Sequence, residues 1–97
     1  MLKNDLPKVA EFKLEDKFHI TGRGMVLAGQ IISGTISPGD SVCIKYGDDL
    51  IAAKIRSVEI GDGIKPRTHF IGLLMEPEND HLDPTFEKLI GENLPII

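Results

Sequence analysis

FHITGRGMVLAGQIISGTISPGD, residues 18–40, is the most regularly patterned stretch of this 97-residue chain. It contains five glycines, at positions 22, 24, 29, 34 and 39, separated largely by β-branched and aliphatic residues. Glycine adopts backbone conformations that other residues resist, so we predict turns at Gly22-Arg23-Gly24 and at Ser37-Pro38-Gly39-Asp40. Residues 25–32 are predicted to form a core strand in which Gly29 marks a bulge or a bend.

The sequence on both sides of this stretch alternates between apolar and polar residues, which is typical of half-buried strands. In the first such segment Phe12 and Leu14 share one face, and the same parity resumes at Phe18 and Ile20 after a polar break at 15–17. The alternation predicts further strands at residues 9–14, 17–21, 41–46 and 50–60. After a loop at 61–66, residues 68–75 are apolar at both parities, which predicts a strand that is covered on both sides.

The predicted strand at 50–60 changes phase along its length. Ile51 and Ile55 share a face, whereas Val58 and Ile60 have the opposite parity. One extra residue would restore the alternation, so we predict a β-bulge near Arg56-Ser57.

The C-terminal part is predicted to be an acidic loop and a short helix within residues 76–92, followed by a closing strand at 94–97. Asp83 and Pro84 suit the N-cap and the first position of a helix. The apolar residues of this helix have helical spacing, and they are Phe86, Leu89 and Ile90. They indicate either a lid over one end of a barrel or an exposed helix that contacts a partner.

Short strands separated by glycine and proline turns predict an all-β fold, a closed antiparallel β-barrel. At this length we expect one domain, residues 1–97, with residues 1–8 as a loosely structured lead-in. No apolar run approaches the ~20 residues that cross a bilayer, and the N-terminus lacks the apolar core of a signal peptide. We therefore expect a cytoplasmic protein that does not bind a membrane.

Charge divides the chain into a near-neutral body and an acidic C-terminal part. Residues 1–75 hold 10 Lys and Arg against 9 Asp and Glu, whereas residues 76–97 hold one Lys and six acidic residues. Because affinity for nucleic acid comes mostly from neutralising phosphates, this balance does not favour tight RNA binding by charge alone.

The sequence indicates no catalytic, metal or cofactor site. His19, His69 and His81 lie 50 and 12 residues apart, which matches no compact set of metal ligands. The single Cys43 cannot form an internal disulfide, and we expect a structural residue in the barrel interior or on its wall. No combination of nucleophile, base and orienting group emerges, so we expect no enzyme activity.

The ordered set of motifs resembles the second domain of elongation factor Tu and its relatives among the translational GTPases. That pattern has an acidic pair, an aromatic residue, a GRG turn, a valine and glycines leading to Gly-Asp. Here these features are Glu15-Asp16, Phe18, Gly22-Arg23-Gly24, Val26, Gly29, Gly34 and Gly39-Asp40. Later segments, KIRSVEI at 54–60 among them, extend the resemblance over about residues 12–95. It implies a six-stranded β-barrel of the translation-protein type.

The resemblance also implies a groove that holds the aminoacylated acceptor end of tRNA. Glu15, Asp16 and Phe18 match the acidic pair and the aromatic residue of that groove, and Glu59 matches the glutamate against which the terminal adenine packs. Arg23 borders the same groove, either as a ligand or phosphate contact or as the ion-pair partner of Glu59.

Two positions depart from the pattern on the side that reads the aminoacyl group. Gly61 stands where a polar or aromatic side chain is common, and Phe70 stands where the pattern has asparagine. The phosphate-binding GxxxxGK[ST] loop is absent from the sequence, so we expect no GTP binding by this chain.

We therefore expect a non-catalytic binding module that uses Glu15, Asp16, Phe18, Arg23 and Glu59 to bind an RNA acceptor end or a protein. The alternative is a structural or regulatory protein-interaction domain that self-associates and has no nucleic-acid role. A third hypothesis, direct binding to ribosomal RNA, rests on the resemblance alone.

Overall fold

Six β-strands form from the alternating segments in the computed structural model, which describes residues 8–61 and 70–97. They are β1 (Ala10–Ile20), β2 (Gly24–Gly34), β3 (Ser41–Tyr46), β4 (Asp49–Gly61), β5 (Phe70–Met75) and β6 (Asn93–Ile96). All neighbouring pairs are antiparallel, and the order β1-β2-β5-β4-β3-β6 closes on itself. The prediction of a closed, antiparallel, six-stranded all-β barrel is confirmed.

The barrel interior is filled by one cluster of apolar side chains to which all six strands contribute. Phe12 and Leu14 of β1 are fully buried in it, as is Val42 of β3. Cys43 lies between Val42 and Ile44 in sequence and is buried outside this cluster, so it belongs to the barrel wall. Burial of the cluster is the main favourable contribution to folding.

The break predicted between strands 9–14 and 17–21 is a β-bulge within the continuous strand β1. Leu14 pairs with Gly29 and Asp16 pairs with Ala28, so Glu15 is an extra residue in the ladder. The backbone continues as a strand because a bulge accommodates one unpaired residue and bends the strand without ending it.

This bulge reverses the faces of the second half of β1. Lys17 pairs with the core residue Leu27 on the inner face, and Phe18 pairs with Val26 on the outer face. Phe18 and Ile20 therefore keep the sequence parity of Phe12 and Leu14 but lie on the opposite face of the sheet. A one-residue shift moves every following side chain to the opposite side of the sheet.

The second bulge, predicted near Arg56-Ser57, is confirmed. Ile55 pairs with Met75 and Ser57 pairs with Leu74, which leaves Arg56 as the extra residue of β4. Arg56 is exposed, and the strand continues to Gly61 on the corrected phase.

The two predicted glycine turns are also confirmed. The amide of Arg23 donates to the carbonyl of Ile20 at 2.9 Å in the first turn, where Gly22 has a φ of 82°. In the second turn Asp40 donates its amide to the Ser37 carbonyl at 3.0 Å, and Gly39 has a φ of 96°. These positive φ values are strained for residues that carry a Cβ.

The predicted acidic loop at 76–82 is instead a 3-10 helix, Pro77–Leu82, which runs directly into the α-helix α1, Asp83–Lys88. The segment is held against β4 because the buried Asn79 donates its Nδ2 to the carbonyl of Lys54 at 3.0 Å. Asp83 is already helical, with φ −49° and ψ −50°, so it is the first residue of α1 and not the predicted N-cap.

The helical segment covers part of the barrel core. Leu82 and Phe86 are fully buried in the core cluster, and Leu89 packs against its edge. These contacts favour the predicted lid over an exposed partner helix. Neither helix within the described residues is long and apolar enough to cross a membrane.

The closing strand is β6, which pairs with β1 on one side and with β3 on the other. It confirms the strand predicted at 94–97. The predicted lead-in at 1–8, the loop at 61–66 and the beginning of the strand at 68–75 lie wholly or partly outside the described residues.

Gly29 is needed where β1 and β2 approach each other most closely, and replacing it with alanine should destabilise the barrel. A Cβ at Gly29 would lie 1.8 Å from the carbonyl oxygen of Lys13, which is backbone and cannot turn away. We expect a loss of about 1–3 kcal/mol in the free energy of unfolding, the usual cost of overpacking. Urea denaturation of the Gly29→Ala variant measures it.

Gly72→Ala is the matched control on β5. Its Cβ would meet the side chain of Val26 at 3.2 Å, and a side chain can shift by a few tenths of an ångström. The loss should therefore be clearly smaller than for Gly29→Ala. Equal losses in the two variants would contradict the close approach of Gly29 to Lys13.

Candidate functional site: an outer groove across four strands

A shallow apolar depression, the outer groove, lies on the outside of the sheet formed by β1, β2, β5 and β4. Its volume is about 200 Å³, and it is lined by Phe18, Ile20, Arg23, Val26, Glu59, Ile60, Phe70, Gly72 and Leu74. Cross-strand partners share a face of the sheet, so the pairs Phe18–Val26 and Val26–Leu74 carry this surface from β1 through β2 to β5.

The floor of the groove is apolar and closely packed. Val26 and Leu74 face outward yet are only 5% exposed, since neighbouring side chains cover them. Gly72 keeps the surface low between them, because an added Cβ there would already lie 3.2 Å from Val26 Cγ1. The groove therefore owes part of its depth to a missing side chain.

Two aromatic rings stand at one side of the groove. Phe18 and Phe70 meet edge to face, with ring centroids 6.2 Å apart and an interplanar angle of 89°. This arrangement is favourable for an aromatic pair, and both side chains remain partly exposed. The groove thus presents aromatic surface from strands that are far apart in sequence.

An ion pair forms the polar border of the groove. Arg23 donates from Nη1 to Glu59 Oε1 at 3.2 Å and from Nη2 to Glu59 Oε2. Ser57 donates its hydroxyl to the same Oε2 at 3.2 Å. The Arg23 hydrogen bond, with a smaller contribution from Ser57, lowers the pKa of the Glu59 carboxyl. Glu59 is therefore ionised at neutral pH and held in one orientation.

The structure brings together three of the five predicted site residues. Phe18, Arg23 and Glu59 line the outer groove, and the predicted pairing of Arg23 with Glu59 is present. Glu15 and Asp16 do not line it, because they lie exposed at the β1 bulge, where Asp16 accepts the amide of Lys17 at 2.8 Å.

Of the two positions that depart from the pattern, Phe70 is part of the groove wall, and Gly61 pairs with Phe70 through the backbone of β4.

Four apolar residues that line the groove were not predicted as site residues, namely Ile20, Val26, Ile60 and Leu74. Apolar residues in a strand normally indicate the core, so a second apolar face carries no separate signal in sequence.

A second charged cluster, the Asp83 cluster, joins the inner face of β1 to α1. The carboxylate of Asp83 accepts hydrogen bonds from Lys17 Nζ and His19 Nε2, and Lys17 Nζ also lies 2.9 Å from Glu87 Oε1. The hydrogen bond from Lys17, then that from His19, lowers the pKa of Asp83. Asp83 and Glu87 in turn raise the pKa of Lys17. These contacts tie the helix to the strand.

Within residues 8–61 and 70–97, no group of three or more His, Cys, Asp or Glu side chains is placed to hold a metal ion. His19 is engaged by Asp83, while His81 contacts the Glu78 carbonyl through Nδ1 at 3.0 Å. His69 lies outside the described residues. The outer groove is a surface depression with an apolar floor and a charged border.

The chain matches no known family model and no solved structure.

Replacing Asp83 with asparagine should make the free energy of unfolding depend less on pH in the acid range. Because the folded state lowers the pKa of Asp83, the ionised carboxylate stabilises the fold above its ordinary pKa of about 4. That contribution is lost as pH falls through the lowered value in the folded state. Urea denaturation at several pH values between 7 and 2.5 should show a shallower fall in unfolding free energy for Asp83→Asn than for the wild type.

Asp48→Asn, at the exposed turn between β3 and β4, is the control. It removes one carboxylate without removing an ion pair that the structure describes, so its acid profile should follow the wild type. An Asp83→Asn profile parallel to the wild type would contradict a stabilising role for the Asp83 cluster.

Proposed function

We propose that this chain is a non-catalytic binding module that holds an unpaired base at the end of an RNA strand in its outer groove. The observation that carries the proposal is the convergence of Phe18, Arg23 and Glu59 on one apolar surface. These side chains come from β1, from the turn that follows it and from β4.

The groove is large enough for one chemical group of a ligand and too small for a whole ligand molecule. Sites that enclose a drug-sized molecule have volumes of about 300–1,000 Å³. The outer groove, at about 200 Å³, is smaller and open to solvent on one side. It suits one flat ring system that lies on the apolar floor while the rest of the ligand stays outside.

The chemistry of the border supports a base attached to a sugar. An ionised carboxylate only accepts hydrogen bonds, so Glu59 fits amino and hydroxyl groups, which bases and riboses carry. Stacking of a base on an aromatic or apolar surface needs no particular sequence. The sequence resemblance to the second domain of elongation factor Tu supports the same ligand, because there a glutamate at this position packs against a terminal adenine.

The proposal does not extend to the aminoacyl group. Phe70 replaces the asparagine of the resembling pattern and contributes an apolar ring to the wall of the groove. The ring offers no hydrogen bond to an amino or ester group. The groove is therefore suited to a base, and discrimination between charged and uncharged acceptor ends is not expected.

A titration with short single-stranded RNA ending in adenosine tests the proposal. We expect amide shifts in NMR spectra at Phe18, Gly72 and Glu59. Phe18→Ala should weaken binding by about 5- to 150-fold, which corresponds to the ~1–3 kcal/mol typical of one stacked base. Tyr46→Ala removes an exposed aromatic residue of β3 that does not line the groove and should leave affinity unchanged.

Shifts confined to other surfaces, or equal affinity of the Phe18→Ala and wild-type proteins, would rule out the outer groove as the RNA site. Unfolding curves of both variants establish that each is folded under the conditions of the titration.

A second candidate function, a protein-interaction domain that self-associates, is favoured by one observation. Ile60, at the border of the groove, is 76% exposed, and the adjoining floor is apolar. Apolar surface of this kind is often an interaction site. This candidate predicts that the molecular mass from light scattering rises with protein concentration and that Ile60→Ser prevents the rise. A constant monomer mass would exclude it.

A further inference from the structure

A second depression, the Arg56 cleft, adjoins the outer groove. It has a volume of about 280 Å³ and is lined by Gly22, Arg23, Arg56, Ser57 and Leu74. Arg23 and Leu74 line both depressions, so the groove and the cleft are neighbours on the surface.

The β4 bulge explains why an arginine is available at this place. Arg56 is the extra residue between Ile55 and Ser57, and it is exposed on the surface of the barrel. Its guanidinium makes no ion pair with any residue in the described part of the chain. Arg23, in contrast, is engaged by Glu59.

The charge at this junction is therefore unbalanced. Arg23 and Glu59 neutralise each other, whereas the positive charge of Arg56 is uncompensated by the described side chains that line the cleft, none of which is acidic. The Ser57 hydroxyl, which also lines the cleft, already donates its hydrogen bond to Glu59, so Arg56 is the donor that remains for a ligand. A guanidinium with free donors matches the geometry of a phosphate, which it binds through two parallel hydrogen bonds.

We propose that the Arg56 cleft binds the phosphate of a nucleotide whose base lies in the outer groove. This inference rests on the proposed function, and it adds that the phosphate attached to the bound nucleotide is itself held, by Arg56. The space beside the Gly22 backbone is open, because no atom lies within 4 Å of the position where its Cβ would be. The apolar and the anionic parts of one ligand then contact adjoining surfaces.

The experiment compares adenosine, AMP and inorganic phosphate as ligands of the whole chain, by NMR titration and calorimetry. AMP should bind about tenfold more tightly than adenosine, since a charged hydrogen bond adds affinity that a nucleoside cannot gain. Arg56→Gln should abolish this preference and leave the affinity for adenosine unchanged. Inorganic phosphate alone should shift the amides of Gly22 and Ser57 in the wild type and not in Arg56→Gln.

Lys45→Gln is the matched control, because it removes one exposed positive charge from β3 outside both depressions. It should keep the full preference for AMP. The affinity for AMP should also fall with added salt more steeply in the wild type than in Arg56→Gln. Thermal unfolding of both variants establishes that they are folded.

The outcomes separate this inference from the proposed function. Equal binding of AMP and adenosine by the wild type, with shifts in the groove, would overturn the phosphate site and leave the groove as a base site. A preference for AMP that persists in Arg56→Gln would also overturn the assignment to Arg56. Absence of binding by both nucleotide and nucleoside would overturn the proposed function and this inference with it.

Discussion

The β-bulge at Glu15 is the constraint on which the outer surface of this barrel depends. The close approach of β1 and β2 leaves no room for a side chain at Gly29, and the extra residue follows directly after the Leu14–Gly29 pair. From that point the strand presents Phe18 to solvent and Lys17 to the barrel end. One irregularity thus supplies an aromatic residue to the groove and a cation to the Asp83 cluster.

The bulge at Arg56 has the same consequence on the other side of the groove. Without it, the alternation along β4 would turn Glu59 toward the interior, where an unpaired carboxylate is very costly. With it, Val58 packs against the core, and Glu59 meets Arg23 on the outside. The ion pair thus depends on the phase shift of β4, which brings Glu59 to the outer face, where Arg23 contacts it from the turn after β1. Bulges commonly redirect side chains next to functional sites.

The two bulges also show what a sequence reveals of such a barrel. The β4 bulge was predictable because apolar residues lie on the inner face before and after it, so their parity visibly changes. Along β1 the inner positions beyond the bulge are Lys17 and His19, and the outer ones are Phe18 and Ile20. The apolar parity in the sequence is therefore unbroken, and an apolar outer surface looks in the sequence like a continuation of the core. The closed antiparallel barrel followed from turns and alternation. The number of six strands followed from the family resemblance, because alternation alone divided β1 into two strands.

Two further differences from the predictions concern the start of α1 and the location of the acidic pair Glu15-Asp16. Asp83 has the residue type and the sequence position expected of an N-cap. The 3-10 helix runs directly into α1, however, and the Asp83 carboxylate contacts Lys17 of β1. Glu15 and Asp16 were placed in the groove by motif order, whereas the bulge leaves them on exposed backbone beside it. The sequence motifs brought Phe18, Arg23 and Glu59 to one surface, and they did not bring Glu15 and Asp16 there. The face of the sheet on which each residue lies depends on the register in which neighbouring strands pair, and that register is seen only in the structure.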